Sequence, residues 1–430
     1  MKKINVGLVG YGIVGSGVAE LLATRRNQFR NKYNAEFNLV SVCDLRFKKT
    51  KPKGLKGVNL TTDANIVLED PDINVIIELI GGLHPAKDFV LKALNNGKHV
   101  ITANKALIAN FGKELFRVAE EKNVSLYFES AVGAGVPIIK SISEGLAGNE
   151  FQAIYGIVNG TCNFILGEMT DKGYGFDEAL KQAQANGFAE ADPTLDINGM
   201  DSAHKLVVLI GQAFGKFISV KDVYVEGITS ISHDDIEHAE SLGLTIKLLT
   251  IAKKTGKSIE ARVHPTLIPK THPLASINGV YNAAYLESFP MGKVMITGEG
   301  AGKMAAASGV ISDLMNLATR PEGQRLLCNV HEEHEKLNIR TIDNIESKFY
   351  IRLMAIDKPG VLAKITGVLG KFSIGINSVT QKVHNAAQAV PVIMLTDYTT
   401  EKKLRAALNR IEKLSVIKSK PVAIRMEKLA

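Results

Sequence analysis

The stretch INVGLVGYGIVGSGVAELLATRR, residues 4–26, decides the front half of the fold. An apolar, β-prone run from Ile4 to Val9 leads into Gly10-x-Gly12-x-x-Gly15, and helix formers follow from Val18 to Arg25. A lone glycine pattern is weak evidence, but between a strand and a helix it is the fingerprint of a dinucleotide-binding turn. The first glycine permits the tight turn, the second lets a pyrophosphate approach the backbone, and the third lets helix and strand pack closely. The amino end of the helix then attracts the phosphate charge. Gly10, Gly12, Ile13, Val14 and Gly15 are therefore expected to contact a dinucleotide.

Outward from this turn, strand-like runs at Phe37–Cys43, Val75–Ile80, His99–Ala103 and Ser125–Phe128 alternate with helical stretches at Pro85–Asn95 and Phe111–Glu121. Such alternation predicts a parallel, doubly wound sheet. Asp44 closes the second strand, where an acid would bind the adenine ribose and favour NAD. Arg46, Lys48 and Lys49 follow at once and would instead hold a 2′-phosphate, which favours NADP. The two signals conflict; the cations tip the expectation towards NADP without excluding NAD.

A chain of 430 residues, 45% hydrophobic, can bury two or three cores, since single cores rarely grow past about 250–300 residues. Three cysteines, Cys43, Cys162 and Cys328, lack CxxC spacing and fit a reducing compartment, so a cytoplasmic location is expected. The first residues lack a small-residue cleavage site, and no stretch reaches the ~20 apolar residues of a membrane span. The net charge of +8 is scattered, apart from RFKKTKPKGLKG (46–57) with six cations and no acid. That run lacks the interleaved aromatics of a nucleic-acid site. It reads as a solvated loop or as part of a site for a phosphate-bearing small molecule.

Past residue 148 the rhythm changes, and a mixed sheet with helices is expected. Here FAEADPTLDINGMDSAHKLVVLIGQAF (188–214) gathers Glu190, Asp192, Asp196, Asp201, His204 and Lys205 ahead of an apolar run. On a helix opening near Asp201, Asp201 and Lys205 share one face. Taken alone, that spacing is usually a surface ion pair.

Six stretches resemble the homoserine dehydrogenase family, in that family's order: GYGIVGSG (10–17), TANKALIA (102–109), ESAVGAGVPII (129–139), GIVNGTCNFIL (156–166), GFAEADPTLDINGMDSAHKLVVL (187–209) and GEGAGKMAAASGVISDL (298–314). The resemblance implies interconversion of L-aspartate 4-semialdehyde and L-homoserine with NADP or NAD. It implies Lys205 as acid/base group and Lys105 as its partner in binding cofactor and substrate, with the two roles exchangeable. Glu190 would bind the substrate ammonium, and Asp201 would orient the hydroxyl or a relaying water. Gly302 would open a helix (302–319) that completes the nucleotide domain, and would touch the cofactor. Glu129 and the carbonyls of Val132, Ala134 and Val136 would hold a sodium ion, with a plain glycine turn as the alternative. Asp192 and Asp196 read as turn or helix-end carboxylates, and His204 as either structural or substrate-facing.

The tail from Phe349 is similar to an ACT domain, a ferredoxin-like βαββαβ unit. Gly360, Ile376 and Asn377 would form an L-threonine site for feedback control; the alternative is a dimerisation module without ligand. The expected fold is thus α/β: a Rossmann-type domain (1–148, with 302–319), an α+β mixed-sheet substrate and dimerisation domain (149–301), a linker (320–348) and an ACT domain (349–426). A monofunctional homodimer or homotetramer is expected, with no nucleic-acid or membrane partner. Two other readings compete. A non-catalytic dinucleotide and amino-acid sensor predicts a degraded central motif, and an acylating semialdehyde dehydrogenase using Cys162 needs a histidine that the motif does not supply. HEEHE (331–335) misses the HExxH zinc spacing and reads as a solvated helix face.

Overall fold

The structure is a computed structural model describing residues 1–50, 52, 54–319, 337–381 and 389–427. Cys328, HEEHE, the first part of the linker, Lys51 and Lys53 lie outside the described residues. The chain divides into two compact units. The first takes Met1–Gly160, Asp201–Lys221 and the described residues from Val280 to Thr319; the second takes Thr161–Met200, Asp222–Gly279 and the described residues from Leu337 onward.

In the first unit, β1 (Lys2–Val9), β2 (Ala35–Cys43), β3 (Asn59–Thr61), β4 (Val75–Glu78), β5 (His99–Thr102) and β6 (Leu126–Tyr127) form a wholly parallel sheet in the order β3-β2-β1-β4-β5-β6. The order reverses between β1 and β4. A strand such as VIIE in β4 is buried throughout, as expected where helices cover both faces of a parallel sheet. The three-residue β3 and the helix Ala64–Leu68 are too short to show a period in the sequence.

Two helices begin earlier than their pattern indicates. Ile13–Thr24 starts directly after the extended Gly12, and Lys105–Glu121 starts at Lys105 because Asn104 Oδ1 accepts the Leu107 N–H at 3.1 Å. The helix Lys303–Thr319 packs on Ile13–Thr24: its Ala307, Val310, Ile311 and Leu314 share one core with Ile4, Val6, Leu8 and Val18. Strands Glu150–Ile157, Tyr281–Phe289 and Gly292–Glu299 add an antiparallel sheet to the same unit.

The second unit is built on the antiparallel hairpin Leu244–Thr255 and Ser258–Pro269. Its tail runs strand Glu346–Ile356, helix Val361–Lys371, strands Ile376–Gln381 and Ala389–Thr396, helix Glu401–Glu412 and strand Val422–Met426. The last strand pairs with the first, the first with the third and the third with the second, all antiparallel. The core of this tail gathers Phe349, Ile351, Leu353, Ile365, Leu369, Met394, Leu404 and Ile411. Val422–Met426 also pairs in parallel with Thr266 and Leu267 of the hairpin. Buried ions reinforce that seam: Arg425 is held by Glu401 at 2.7 and 3.0 Å and by Glu226 at 2.7 Å, and Arg352 grips the buried Asp235.

Candidate active site

The carboxyl ends of β1, β2, β4 and β5 all open onto one edge of the parallel sheet, where open α/β sheets bind ligands beside the switch point. Large apolar side chains stand in solvent on these loops: Ile13 is 74% exposed after β1, Leu45 is 72% exposed after β2, and Ile80 and Leu83 are exposed after β4. Val14, next to Ile13, turns inward and packs on the core under the glycine turn.

The three glycines separate by what they meet. Gly10 has φ +100°, and a Cβ there would lie 2.7 Å from the Leu79 carbonyl; a Cβ on Gly15 would lie 2.1 Å from the Gly10 oxygen. A Cβ on Gly12 would meet nothing within 4 Å. Internal packing therefore explains Gly10 and Gly15, while Gly12 has open space where a Cβ would stand.

Asp44 is not the last residue of β2 but the first beyond it. It caps the short turn Leu45–Lys48, because its Oδ1 accepts the Arg46 N–H at 2.9 Å. Its Oδ2 accepts the Tyr11 N–H at 2.8 Å, which ties the β2 end to the glycine turn. The Arg46 guanidinium clasps both oxygens, at 2.9 and 2.8 Å, and pulls the carboxyl down to about 2. Lys48 and Lys49 are exposed beside it.

The helix Met200–Phe214 carries the charged cluster, with Asp201 in its first turn. Asp201 is 6% exposed, so the pair is not the surface ion pair its spacing alone suggested. Lys105 Nζ lies 2.8 Å from its Oδ1 and Lys205 Nζ 2.8 Å from its Oδ2. Burial by itself would raise the Asp201 carboxyl, but the two ammonium groups outweigh it and hold the group well below the usual carboxylate range. Lys205 also donates to the Val158 carbonyl at 2.5 Å. Its side chain is mostly buried, whereas that of Lys105 is 40% exposed. Lys105 reaches the cluster because Asn104 caps its helix just past β5. His204 is half-buried, and that burial lowers its pKa.

Two asparagines that the sequence did not single out complete the cluster. Asn159 Nδ2 donates to Asp201 Oδ2 at 3.0 Å, and the fully buried Asn282 donates to the Val158 carbonyl at 3.3 Å. Asn159 sits inside GIVNGTCNFIL, and a polar residue just past an apolar strand was the available signal; Asn282 carries no local signal at all.

Glu190 lies in the second unit with its side chain exposed, and Gln184 donates to its carbonyl at 3.2 Å. Asp192 accepts from Thr194, as a turn carboxylate does. Cys162 is fully buried and its thiol donates to the Asp196 carbonyl at 3.2 Å. Gly302, at φ +117°, precedes Lys303–Thr319 and accepts the Ala306 N–H at 3.0 Å. Glu129 is buried, and its two oxygens accept the N–H groups of Ile139 (2.9 Å) and Lys140 (2.8 Å). Burial, together with nearby Asp313, raises its pKa. Val132 is fully buried, Ala134 holds φ +54°, and the Val136 carbonyl accepts from Ile138 at 2.7 Å. In the tail, Gly360 at φ +83° caps the helix Val361–Lys371, Ile376 is half-buried and Asn377 is exposed. Among the described residues no cluster of three or more His, Cys, Asp or Glu side chains is placed to hold a metal ion.

Comparison with known proteins agrees with this geometry. The family description "Homoserine dehydrogenase, NAD binding domain" matches residues 10–129, and "Homoserine dehydrogenase" matches residues 137–315. The homoserine dehydrogenase of Neisseria gonorrhoeae is 40% identical over 100% of both chains, and that of Pseudomonas aeruginosa is 39% identical over 100% of both. A crystal structure of a homoserine dehydrogenase from Thiobacillus denitrificans superposes with TM-score 0.92 at 40% identity, covering 100% of this chain and 99% of that one. A hyperthermophilic archaeal homoserine dehydrogenase mutant in complex with NADPH superposes with TM-score 0.64 at 27% identity, covering 74% of this chain and 99% of that one. With relatives matched along their whole length, and both family descriptions in register with the nucleotide edge and the lysine cluster, this chain belongs to the homoserine dehydrogenase family.

Proposed function

We propose that this oxidoreductase interconverts L-homoserine and L-aspartate 4-semialdehyde with Lys205 as the acid/base group, Asp201 as its anchor and Lys105 as a second cation at the reacting oxygen. One observation carries the reading: a buried carboxylate gripped at both oxygens by two ammonium groups, in the unit that holds the nucleotide sheet. A bound nicotinamide dinucleotide supplies hydride transfer there, and the space beside Gly12 with its apolar rim fits such a group.

When the aldehyde is reduced, its oxygen gains negative charge and needs a proton. Lys205 has three N–H groups, two of them directed at Asp201 and Val158, which leaves one for the substrate oxygen. Asp201 is a poor proton acceptor, because a carboxyl held so low stays ionised. Its task is to fix Lys205 and to stabilise the cation, while Lys105 steadies the developing alkoxide. The exposed Glu190 is the acid we assign to the substrate ammonium, on the ground of its charge alone.

The Asp44 and Arg46 pair supports use of both cofactors with NADP favoured: Arg46 neutralises the acid that would repel a 2′-phosphate, and Lys48 and Lys49 add cations. The sodium reading keeps the Val132, Ala134 and Val136 carbonyls and the lone pairs of Glu129 not already used by backbone donors. The tail's strand order supports an ACT domain, with L-threonine bound at Gly360, Ile376 and Asn377 as feedback effector. Half-exposed Val294, Met295 and Ile296 on the strand Gly292–Glu299 support a homo-oligomer. No helix among the described residues is long and apolar enough to cross a membrane.

A spectrophotometric assay with aspartate semialdehyde and each reduced cofactor, with and without threonine, tests these points together. The expected outcome is turnover with both cofactors, a higher kcat/KM with NADPH, and inhibition by millimolar threonine. No semialdehyde-dependent oxidation of either cofactor would overturn the central assignment; unchanged rates with threonine would leave the tail as a dimerisation module.

A further inference from the structure

We propose that Glu78 is a positioning residue, tying the loop after β4 to the start of the helix that bears Lys105. The side chain ends β4 with no exposure to solvent, and no ion pair reaches it among the described residues. An isolated carboxylate in such a place is costly unless neutral donors satisfy it. Burial raises its pKa, and the donors around it act against that rise.

Those donors come from both sides of the site. Glu78 Oε1 accepts the Ile80 N–H at 2.8 Å and the Gly81 N–H at 3.3 Å, which folds the loop back over the strand end. Glu78 Oε2 accepts the Thr102 hydroxyl at 2.6 Å. Thr102 Oγ1 in turn accepts the Asn104 N–H at 3.0 Å, and Asn104 Nδ2 returns to the Gly82 carbonyl at 2.6 Å. Asn104 also caps the helix beginning at Lys105. The ring of hydrogen bonds therefore joins the exposed Ile80–Leu83 loop to the residue immediately before Lys105. An apolar residue at position 78 would close β4 without desolvating a charge, but it would leave the Ile80 and Gly81 amides and the Thr102 hydroxyl without this acceptor. The buried carboxylate thus sets the cofactor-facing loop and the lysine in one register.

The role rests on the nucleotide-edge reading above, and the experiment separates the two. In the full-length enzyme, Glu78→Gln, Thr102→Val and Thr102→Ser are compared for cofactor KM, homoserine KM, kcat, melting temperature, and NADPH Kd by fluorescence titration. Loss of one charge-assisted hydrogen bond allows about a tenfold effect. Glu78→Gln and Thr102→Val should each raise cofactor KM and NADPH Kd by about that factor and lower kcat, with homoserine KM nearly unchanged. Thr102→Ser keeps the hydroxyl and should behave as the unaltered enzyme. Unchanged cofactor constants and kcat in Thr102→Val overturn the proposal, as does a Thr102→Ser variant impaired as badly as Thr102→Val. If Glu78→Gln fails to fold, the two threonine variants decide alone. An unaltered enzyme that binds NADPH but does not oxidise homoserine would sink the functional reading, while the Kd comparison still decides the role of Glu78.

Discussion

Replacing Asp201 with asparagine probes the centre of the site. The side chain keeps its shape and one acceptor, yet its amide N–H₂ must now face one of two ammonium groups that stood 2.8 Å from carboxylate oxygens. Removing one partner of a buried pair costs about 3–5 kcal/mol. The lower end applies here, because Lys105 is 40% exposed and can turn to water, whereas Lys205 is mostly buried and is held by the Val158 carbonyl. The folded-state pKa of Asp201 is depressed, so its contribution is fully present above the unfolded value of about 3.9 and is lost as pH falls through the folded value. Urea unfolding of both proteins should show a gap of about 3 kcal/mol from pH 8 to pH 5, with equal m-values, narrowing below about pH 4. In the same variant kcat should fall by about 10²–10³, because Lys205 loses its anchor. Equal stability at pH 7, or a gap that widens as pH falls, would refute the assignment of Asp201 as the charge that holds both lysines.

Arg46→Ala should raise the KM for NADP by about tenfold or more while leaving NAD little changed, since only the former loses a cation for its 2′-phosphate; steady-state kinetics with both cofactors check this. Gly12→Ala should fold with a near-normal melting temperature but bind NADPH weakly, whereas Gly15→Ala should unfold at lower temperature because its Cβ would lie 2.1 Å from the Gly10 oxygen; thermal melts and fluorescence titration distinguish them. Arg425→Ala strips the cation from the buried Glu401 and should cost about 3–5 kcal/mol in chemical denaturation, without changing the KM for homoserine.

Where a local period or turn chemistry dictates structure, the sequence is legible. The strand and glycine turn that open at Ile4 are legible because Gly10 and Gly15 answer local steric demands, although the helix behind them starts ahead of its pattern, at Ile13, and the parallel sheet follows from the alternation that comes next. Elements without a period escaped, such as the three-residue β3. The helix at Lys105 reads late in the sequence because its start depends on one side-chain cap, Asn104, rather than on apolar spacing. In the site, the four-residue spacing puts Asp201 and Lys205 on one helix face but by itself reads as a surface ion pair; only the family likeness singled out these two and Lys105, which meets them through long-range packing. Asn282 and Glu78 were not legible, since each acts through partners far along the chain: Val158 for the first, Thr102 for the second.

The most direct measurement is kcat for L-homoserine oxidation at saturating cofactor in Lys205→Ala beside Lys105→Ala. The account predicts a fall of about 10²–10⁴ for Lys205→Ala, the range for a positioned proton transfer, with NADPH affinity retained. Turnover by Lys205→Ala within about twofold of the unaltered enzyme, on a protein that still binds cofactor, would contradict it.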